Sequence, residues 1–174
     1  MASPSAKILV LADENCACVK IVGRPNFTHG PDLKALLTGL AQKGYTRFII
    51  DLAECALMDS TLLGILAGFG LKIAQTTAPD HGSVELLKPN SRIADLLENL
   101  GALHLFKVTA EAPRLPKEAQ AQTPASVNPT REQITRTCLE AHQSLMDMNP
   151  ENIARFKDVT RFLAEDLKNL QKAT

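Results

Sequence analysis

The chain has 174 residues, of which 45% are hydrophobic and 22% are charged. This length allows one domain of ordinary size with further segments, and the hydrophobic fraction is sufficient for a buried core. Lys and Arg together number 19, and so do Asp and Glu, which makes the formal net charge zero. Without a basic excess or a basic stripe, the sequence argues against nucleic acid and against an anionic membrane surface as its partner.

Neither a membrane span nor a secretion signal is predicted. The longest apolar stretch, residues 62–71, is far shorter than the roughly 20 residues that a membrane-spanning helix needs. The amino terminus lacks a basic lead, and Asp13 and Glu14 interrupt its apolar residues, which is not typical of a signal peptide. We therefore expect a soluble, cytoplasmic protein.

The cysteines and histidines form no pattern of a metal site, a disulfide framework or a bound cofactor. Cys16 and Cys18 alternate on one face of a strand, which favours packing in a core over metal or redox chemistry, and Cys55 and Cys138 are isolated. The four histidines lie far apart without an acidic residue at ligand spacing, which favours loop or surface positions: His29, His81, His104 and His142. No metal ligand and no cofactor is predicted.

The first half of the chain predicts a hairpin followed by a helix and a strand. Residues 7–11 and 16–22 are rich in β-branched and aliphatic residues, and a polar turn separates them. Residues 31–42 place four leucines on one face of a helix, which Gly44 ends. A buried strand begins at Phe48, and a link ending in Asp59 leads to an apolar helix over residues 60–74.

The apolar helix is rich in small residues, and the same alternation of strand and helix continues after it. Gly64, Ala67 and Gly68 of that helix would let its backbone lie close to a sheet. Residues 83–87 predict a strand, Pro89 opens a third helix, and Gly101 ends that helix before a last strand over residues 104–108. The order β-β-α-β-α-β-α-β predicts an α/β domain over residues 1–110 in which helices cover a mixed sheet.

The character of the sequence changes after this domain. Residues 111–129 are rich in Pro and Ala without apolar periodicity, which predicts an exposed linker. Residues 130–174 predict two amphipathic helices, and Thr130 with Gln133 suits a capping box at the start of the first. Their apolar seams leave two arrangements open: a helical hairpin that packs on the main domain or on itself, and a homodimer through the helices. The seam residues are Ile134, Cys138, Ala141, Leu145 and Met148, then Ile153, Phe156, Thr160, Leu163, Leu167 and Leu170.

Asp59, Ser60 and Thr61, here called the hydroxyl turn, lie where a strand is followed by a helix amino terminus. One interpretation is a helix cap, because Asp and Ser side chains accept hydrogen bonds from the free N–H groups of a first turn. The other is a phosphorylation site, because a phosphate there would be held by those N–H groups and by the positive end of the helix dipole. The second interpretation requires a hydroxyl that points outward to solvent.

Two stretches, "RFIIDLAECALMDSTLLGIL" and "VELLKPNSRIADLLENLGALHLFKV", resemble the STAS domain family of anti-sigma factor antagonists. The resemblance rests on the hydroxyl turn, on Gly64 in the apolar helix, on the turn at Asn90, and on the closing Gly101 with Leu105 and Phe106. "VGRPNF", residues 22–27, resembles the family's turn after its second strand. The resemblance covers roughly residues 7–108. Leu62 stands where the family often has Gly.

The STAS resemblance implies a bacterial regulatory protein and not an enzyme. Such a domain binds an anti-sigma factor, often a serine/threonine kinase of the histidine-kinase ATPase fold, and phosphorylation by that partner reverses the binding. The family's phosphoacceptor falls on Thr61, with Ser60 as the neighbouring second choice. The implied partner-binding surface comprises the hydroxyl turn, the first turns of the following helix and two nearby loops: Asp59, Ser60, Thr61, Leu62, Leu63, Asn26 and Pro89.

The sequence is also compatible with two other functions. In one, the chain is a STAS scaffold or sensor module whose hydroxyl turn is only a cap and whose carboxyl-terminal helices bind the partner. In the other, it is an enzyme. The sequence lacks a Gly-rich phosphate loop, a paired-carboxylate motif and the G-x-S-x-G elbow around Ser60, so no catalytic residue is predicted.

Overall fold

The computed structural model describes residues 5–111 and 122–174. The order of strands and helices is the one predicted from the sequence. Two short 3-10 turns, Phe27–His29 and Leu103–Leu105, accompany the main elements. These elements are β1 Lys7–Ala12, β2 Cys16–Val22, α1 Gly30–Gln42, β3 Arg47–Asp51, α2 Ser60–Thr76, β4 Ser83–Leu87, α3 Ser91–Asn99, β5 Lys107–Thr109, α4 Arg131–Met148 and α5 Glu151–Lys172.

The sheet has the mixed topology that the sequence predicts. Its strand order is β1-β2-β3-β4-β5. β1 and β2 form an antiparallel hairpin, and the remaining neighbours pair in parallel. The last strand differs from its prediction, because residues 103–105 form a 3-10 turn and β5 starts only at Lys107. Since β2, β3 and β4 run parallel, the loops that follow them leave one edge of the sheet, here called the carboxyl edge.

The strand side chains alternate between two buried clusters, one on each face of the sheet. In β2, Ala17, Val19 and Ile21 belong to the main core, which the helices complete. Cys16 and Cys18 point to the other face, where each is 4% exposed within a smaller apolar cluster. The prediction that these two cysteines pack in a core is therefore confirmed.

α4 and α5 form an antiparallel hairpin that packs on the helical side of the domain. At one end of the hairpin, Arg131 of α4 pairs with Asp166 of α5 at 3.2 Å. The predicted capping box is present, because the Thr130 hydroxyl accepts from the Gln133 N–H at 3.2 Å and the Gln133 side chain accepts from the Thr130 N–H at 2.8 Å. α4 contacts both α1 and α2. A homodimer through these helices stays a prediction.

The part of the predicted linker that the structure describes is attached to the domain. Gln122 exchanges two backbone hydrogen bonds with Val10, at 2.8 and 2.9 Å, on the open side of β1. The carboxylate of Asp32 in α1 accepts from the Ser126 hydroxyl at 2.9 Å and from the Val127 N–H at 2.8 Å. Residues 112–121 of the linker lie outside the described residues. Over residues 5–111 and 122–174, no helix combines the length and the apolar character that crossing a bilayer requires.

Candidate functional site

The carboxyl edge collects the loops in which the predicted contact residues lie. Asn26 follows β2, the hydroxyl turn follows β3, and Pro89 follows β4. A backbone hydrogen bond joins the first two loops, because the Gly23 N–H donates to the Glu54 carbonyl at 2.9 Å. The shared edge follows from the parallel pairing, and it makes one surface from three segments that are far apart in the sequence.

Asn90 connects the third loop to the second. Its side-chain oxygen caps α3 by accepting from the Ile93 N–H at 2.9 Å. Its amide nitrogen donates to the carbonyls of Cys55 and Ala56 at 3.0 and 3.1 Å. One side chain therefore starts a helix and fixes the loop that leads into the hydroxyl turn, while the adjacent Pro89 is half-buried.

The hydroxyl turn starts α2 as the cap interpretation predicts. Asp59 has extended backbone angles, and its carboxylate accepts from the Leu62 N–H at 3.0 Å. Such a cap stabilises a helix by about 1 kcal/mol. With Asp59 as the cap, Ser60 and Thr61 take the first two helical positions, where their side chains flank the amino-terminal end of the helix dipole.

The Ser60 hydroxyl binds a histidine from α4. Its oxygen lies 2.9 Å from Nε2 of His142, and Nδ1 of the same ring lies 2.7 Å from the Cys138 carbonyl oxygen. A carbonyl only accepts, so Nδ1 donates to Cys138, and in that tautomer Nε2 accepts from the Ser60 hydroxyl. His142 is 5% exposed and meets the Phe156 ring edge-on at 5.0 Å. The prediction of a loop or surface position for His142 is wrong, because the hairpin folds over α2.

Thr61 does not face solvent. Its residue is 4% exposed, and it lies between Gly30 at the start of α1 and Cys138 of α4. The expectation of an outward-pointing Thr61 hydroxyl is therefore wrong for this arrangement of the chain. The cause is tertiary: α4 packs along α2 and covers its first turn. Among the predicted phosphoacceptors, Ser60 is the more accessible residue, since it is half-buried.

The thiol of Cys138 belongs to the same contact. Burial raises its pKa above the ordinary value of 9.0, and the Thr61 side chain, within hydrogen-bonding reach, offsets part of this rise. The neutral thiol is therefore the form that fits beside Thr61. Cys138, which forms no pattern with the other cysteines in the sequence, therefore lies where α4 contacts α2.

Gly64 allows the close approach of α4. A Cβ atom at Gly64 would stand 2.6 Å from the Ala141 carbonyl oxygen and 3.1 Å from the Ala141 Cβ atom. One turn later, a Cβ atom at Gly68 would meet the Ser144 hydroxyl oxygen at 3.6 Å, an ordinary contact. The prediction that these glycines bring α2 close to the sheet is wrong for both, because they face α4, whereas Ala67 is fully buried in the main core.

The other predicted partner-binding residues divide into core and surface. Leu62 and Leu63 are each 1% exposed in the main core, so they support the turn from beneath and are not part of its surface. Asn26 is exposed and caps its own 3-10 turn, where its side-chain oxygen accepts from the Thr28 N–H at 3.0 Å. Of the predicted contact residues, Asn26, Pro89, Asp59 and Ser60 therefore reach the surface of the carboxyl edge, and Thr61 does not.

His142, Cys138 and Ala141 were not predicted at this site. The signal that points to them is the composition of α2, which carries apolar or small residues on every side between Leu62 and Gly70. A helix that is apolar all round is buried on both faces. The sheet covers only one face, so a second element has to cover the other.

Comparison with known proteins agrees with this architecture. A family model described as the STAS domain matches residues 7–112. A solution structure of the Thermotoga maritima protein TM1081 aligns with a TM-score of 0.50 at 16% identity, over 63% of this chain and 81% of that one. An anti-sigma factor antagonist from Mycobacterium paratuberculosis aligns with a TM-score of 0.50 at 19% identity, over 64% of this chain and 92% of that one.

A third solved structure, the anti-sigma factor antagonist SpoIIAA in its unphosphorylated form, aligns with a TM-score of 0.49 at 16% identity, over 62% of this chain and 90% of that one. No curated protein matches the sequence. The family match covers more than half of the chain and runs from the first strand to just beyond the last. The chain belongs to the STAS domain family.

Proposed function

We propose that this chain is a regulatory switch of the anti-sigma factor antagonist type, and not an enzyme. Its partner is an anti-sigma factor or a serine/threonine kinase of the histidine-kinase ATPase fold, in a bacterial cytoplasm. Membership of the STAS family and the anti-sigma factor antagonist among its structural neighbours support this class of partner. The binding surface is the carboxyl edge around the hydroxyl turn, with Asn26 and Pro89 at its sides.

One observation carries the proposal: the two hydroxyls of the turn lie inside a contact between α2 and another helix. Ser60 is hydrogen-bonded to His142, and Thr61 lies beside Cys138. A helix can therefore pack against this surface when both hydroxyls are unphosphorylated. A phosphate on either one would add up to two negative charges next to Asp59, and such a group is costly to bury without a cation. Phosphorylation and protein contact at this turn are thus mutually exclusive.

Thr61 is the first choice for the phosphoacceptor and Ser60 the second. Because Thr61 is 4% exposed, a kinase reaches its hydroxyl only after α4 has moved away. Ser60 is half-buried, and its hydroxyl becomes free when the hydrogen bond to His142 opens. Both routes make the modification depend on the position of α4.

The test combines co-purification from the native cell with a kinase reaction. We expect an ATP-binding anti-sigma partner to co-purify, and its reaction with ATP to add one phosphate to the wild-type chain. Thr61→Val keeps the shape of the side chain, and we expect it to abolish the modification, while Ser60→Ala leaves it in place. The reverse pattern would assign the phosphate to Ser60. Equal phosphate incorporation in both variants, measured by mass spectrometry, would refute the hydroxyl turn as the acceptor.

A second candidate function is a STAS scaffold that is not phosphorylated and binds its partner through α5. The observation that favours it is the exposure of Phe162 and Ile153 on α5, at 59% and 47%, while Thr61 is covered. Phe162→Ser in the full chain discriminates between the two functions. Loss of the co-purified partner from this variant, with retention by Thr61→Val, would support the scaffold and argue against the switch.

A further inference from the structure

We propose that the α4–α5 hairpin is a removable cover of the hydroxyl turn, and that Gly64 sets how tightly this cover closes. In the closed form, α4 occupies the face of α2 to which a partner or a kinase needs access. In the open form, Ser60 and Thr61 are free. The effect of opening on partner and kinase access rests on the proposed function, whereas the opening itself can be measured without any partner.

The contact between α4 and the first turns of α2 is built from small and polar groups. It comprises the Ser60–His142 hydrogen bond, the Thr61 side chain against Cys138, and the backbone of Ala141 over Gly64. Hydroxyl, imidazole and backbone groups regain hydrogen bonds with water when they separate. This first part of the contact can therefore open with little exposure of apolar surface, whereas farther along the hairpin Leu145 and Phe156 belong to the main core and stay packed.

Asn152, at the turn of the hairpin, anchors the closed form incompletely. Its side chain is fully buried, and its nitrogen donates to the Leu100 carbonyl of the STAS domain and to the Leu145 carbonyl of α4, at 2.9 and 2.8 Å. Its oxygen has no hydrogen-bond partner among the described residues. A buried acceptor without a donor offsets part of the stabilisation that the two bonds supply.

The hairpin follows the sheet in the sequence, so the start of α4 can separate from α2 without the removal of a strand. All five strands precede α4. Among the described residues, the segment before α4 is held to the sheet edge by the Gln122–Val10 pair and to α1 by Asp32, which accepts from Ser126 and Val127. A tethered element competes with a free partner at a high effective concentration. The apparent affinity of a partner for the turn is then lowered in proportion to the open fraction.

Two glycine substitutions on α2 form a matched pair that tests the cover. Gly64→Ala places a methyl group 2.6 Å from the Ala141 carbonyl, so α4 has to move away. Gly68→Ala makes the same chemical change one turn later, where the nearest atom, the Ser144 hydroxyl oxygen, is 3.6 Å away. Alanine is a better helix former than glycine at both positions, so only the contact with α4 distinguishes the two variants.

The readout is alkylation of the native cysteines by N-ethylmaleimide, located by mass spectrometry. Cys138 lies on the side of α4 that faces α2 and is 6% exposed, whereas the buried thiols of the STAS domain report on the fold of the sheet region: Cys16, Cys18 and Cys55. We expect N-ethylmaleimide to label Cys138 about tenfold faster or more in Gly64→Ala, because overpacking costs about 1–3 kcal/mol and about 1.4 kcal/mol corresponds to tenfold in the open fraction. Gly68→Ala should label Cys138 at the wild-type rate, and the other thiols should stay protected in both variants.

If N-ethylmaleimide labels Cys138 in Gly64→Ala at the wild-type rate, the proposed cover is refuted. If that variant labels all four cysteines, Ala141→Leu decides, because it places the added bulk on α4 and leaves the STAS sequence intact. Selective labelling of Cys138 in Ala141→Leu supports the cover, and uniform labelling of all four thiols refutes it. Partner binding is scored separately. If Gly64→Ala speeds the labelling of Cys138 while its affinity for the co-purified anti-sigma partner stays the same, the cover is supported and the proposed function is refuted.

Discussion

The two faces of α2 are buried by different kinds of contact. Toward the sheet, Phe69 meets the Phe48 ring edge-on at 4.8 Å within the main core. Toward α4, the contacts of the first turns involve Ser60, Thr61 and Gly64, whereas Leu145 farther along α4 belongs to the main core. The first face is stabilised by the burial of apolar area, which contact with water cannot replace. The second relies on hydrogen bonds and close packing, which another helix or water can replace.

This difference separates what holds the domain together from what regulates it. A contact of large apolar side chains opens only when the domain unfolds, and a contact of small polar groups opens locally. In this chain, the polar face of α2 carries the hydroxyls that the STAS resemblance implicates.

Phe69→Ala removes the ring that joins α2 to the sheet. Phe69 is 8% exposed, and we expect the free energy of unfolding to fall by about 3–5 kcal/mol, because a cavity replaces a large buried side chain. Chemical denaturation followed by circular dichroism measures this change. The control is Phe162→Ala on α5, which truncates a ring that is 59% exposed and should change stability by less than about 1 kcal/mol. Equal losses in the two variants would contradict the assignment of the core.

A pH titration probes the sheet from the face opposite to α2. Burial raises the pKa of the Cys18 thiol from 9.0 to about 11. The unfolded thiol ionises near 9 and the folded one near 11, so stability is unaffected by this group below pH 9 and falls as the pH rises from 9 to 11. Each pKa unit corresponds to about 1.4 kcal/mol, which gives a loss on the order of 2–3 kcal/mol.

The matched variant for this titration is Cys18→Ala, which removes the titrating thiol. Its free energy of unfolding should decline less steeply than that of the wild type between pH 9 and 11, and the two curves should run in parallel below pH 9. Parallel curves across the whole range would show that this thiol does not carry the predicted proton linkage.

Ser60→Ala tests the polar face. The change leaves Nε2 of His142 buried without a donor, and we expect a loss of about 1–3 kcal/mol together with faster alkylation of Cys138. Ser144→Ala is the control, because the Ser144 hydroxyl bonds only the Glu140 carbonyl of its own helix among the described residues. The control should leave both the stability and the Cys138 rate near wild type. If Ser60→Ala matches Ser144→Ala in both measurements, the Ser60–His142 hydrogen bond does not stabilise this contact.

Lys34→Met tests the outermost contact between the domain and the hairpin. Lys34 of α1 forms an ion pair with Glu140 of α4, and the two side chains are 48% and 47% exposed. Exposed ion pairs contribute about 0–1 kcal/mol and weaken with salt. We expect a loss below about 1 kcal/mol that disappears in high salt. A loss above about 2 kcal/mol would mean that charge, and not the polar face of α2, holds the hairpin in place.

Local patterns predicted most of the fold. Gly44 and Gly101 were expected to end helices, and both adopt left-handed backbone angles, with φ of 98° and 71°. Asp59 was expected to cap α2, and its carboxylate does so. These features depend on the conformational preferences of single residues and on hydrogen bonds within a few positions. Alternating strands and helices then restricted the sheet to a few topologies.

The hydroxyl turn was located correctly, but its surroundings were not. The sequence of α2 shows that two of its faces are apolar or small, and that signal predicts a second covering element without naming it. The seams of α4 and α5 are compatible with a hairpin and with a dimer, because periodicity specifies which face of a helix is buried and not what buries it.

Sequence patterns are enough to specify the order of elements, the helix caps, the STAS membership of residues 7–112 and the position of two hydroxyls at a helix amino terminus. The position of α4 over those hydroxyls, the bond between His142 and Ser60, and the packing of Gly64 against a helix and not the sheet depend on the folded chain. The two groups of features differ in their separation along the chain. Caps and turns depend on neighbours within one helical turn, whereas Ser60 and His142 are 82 positions apart and meet only when the chain has folded back on itself.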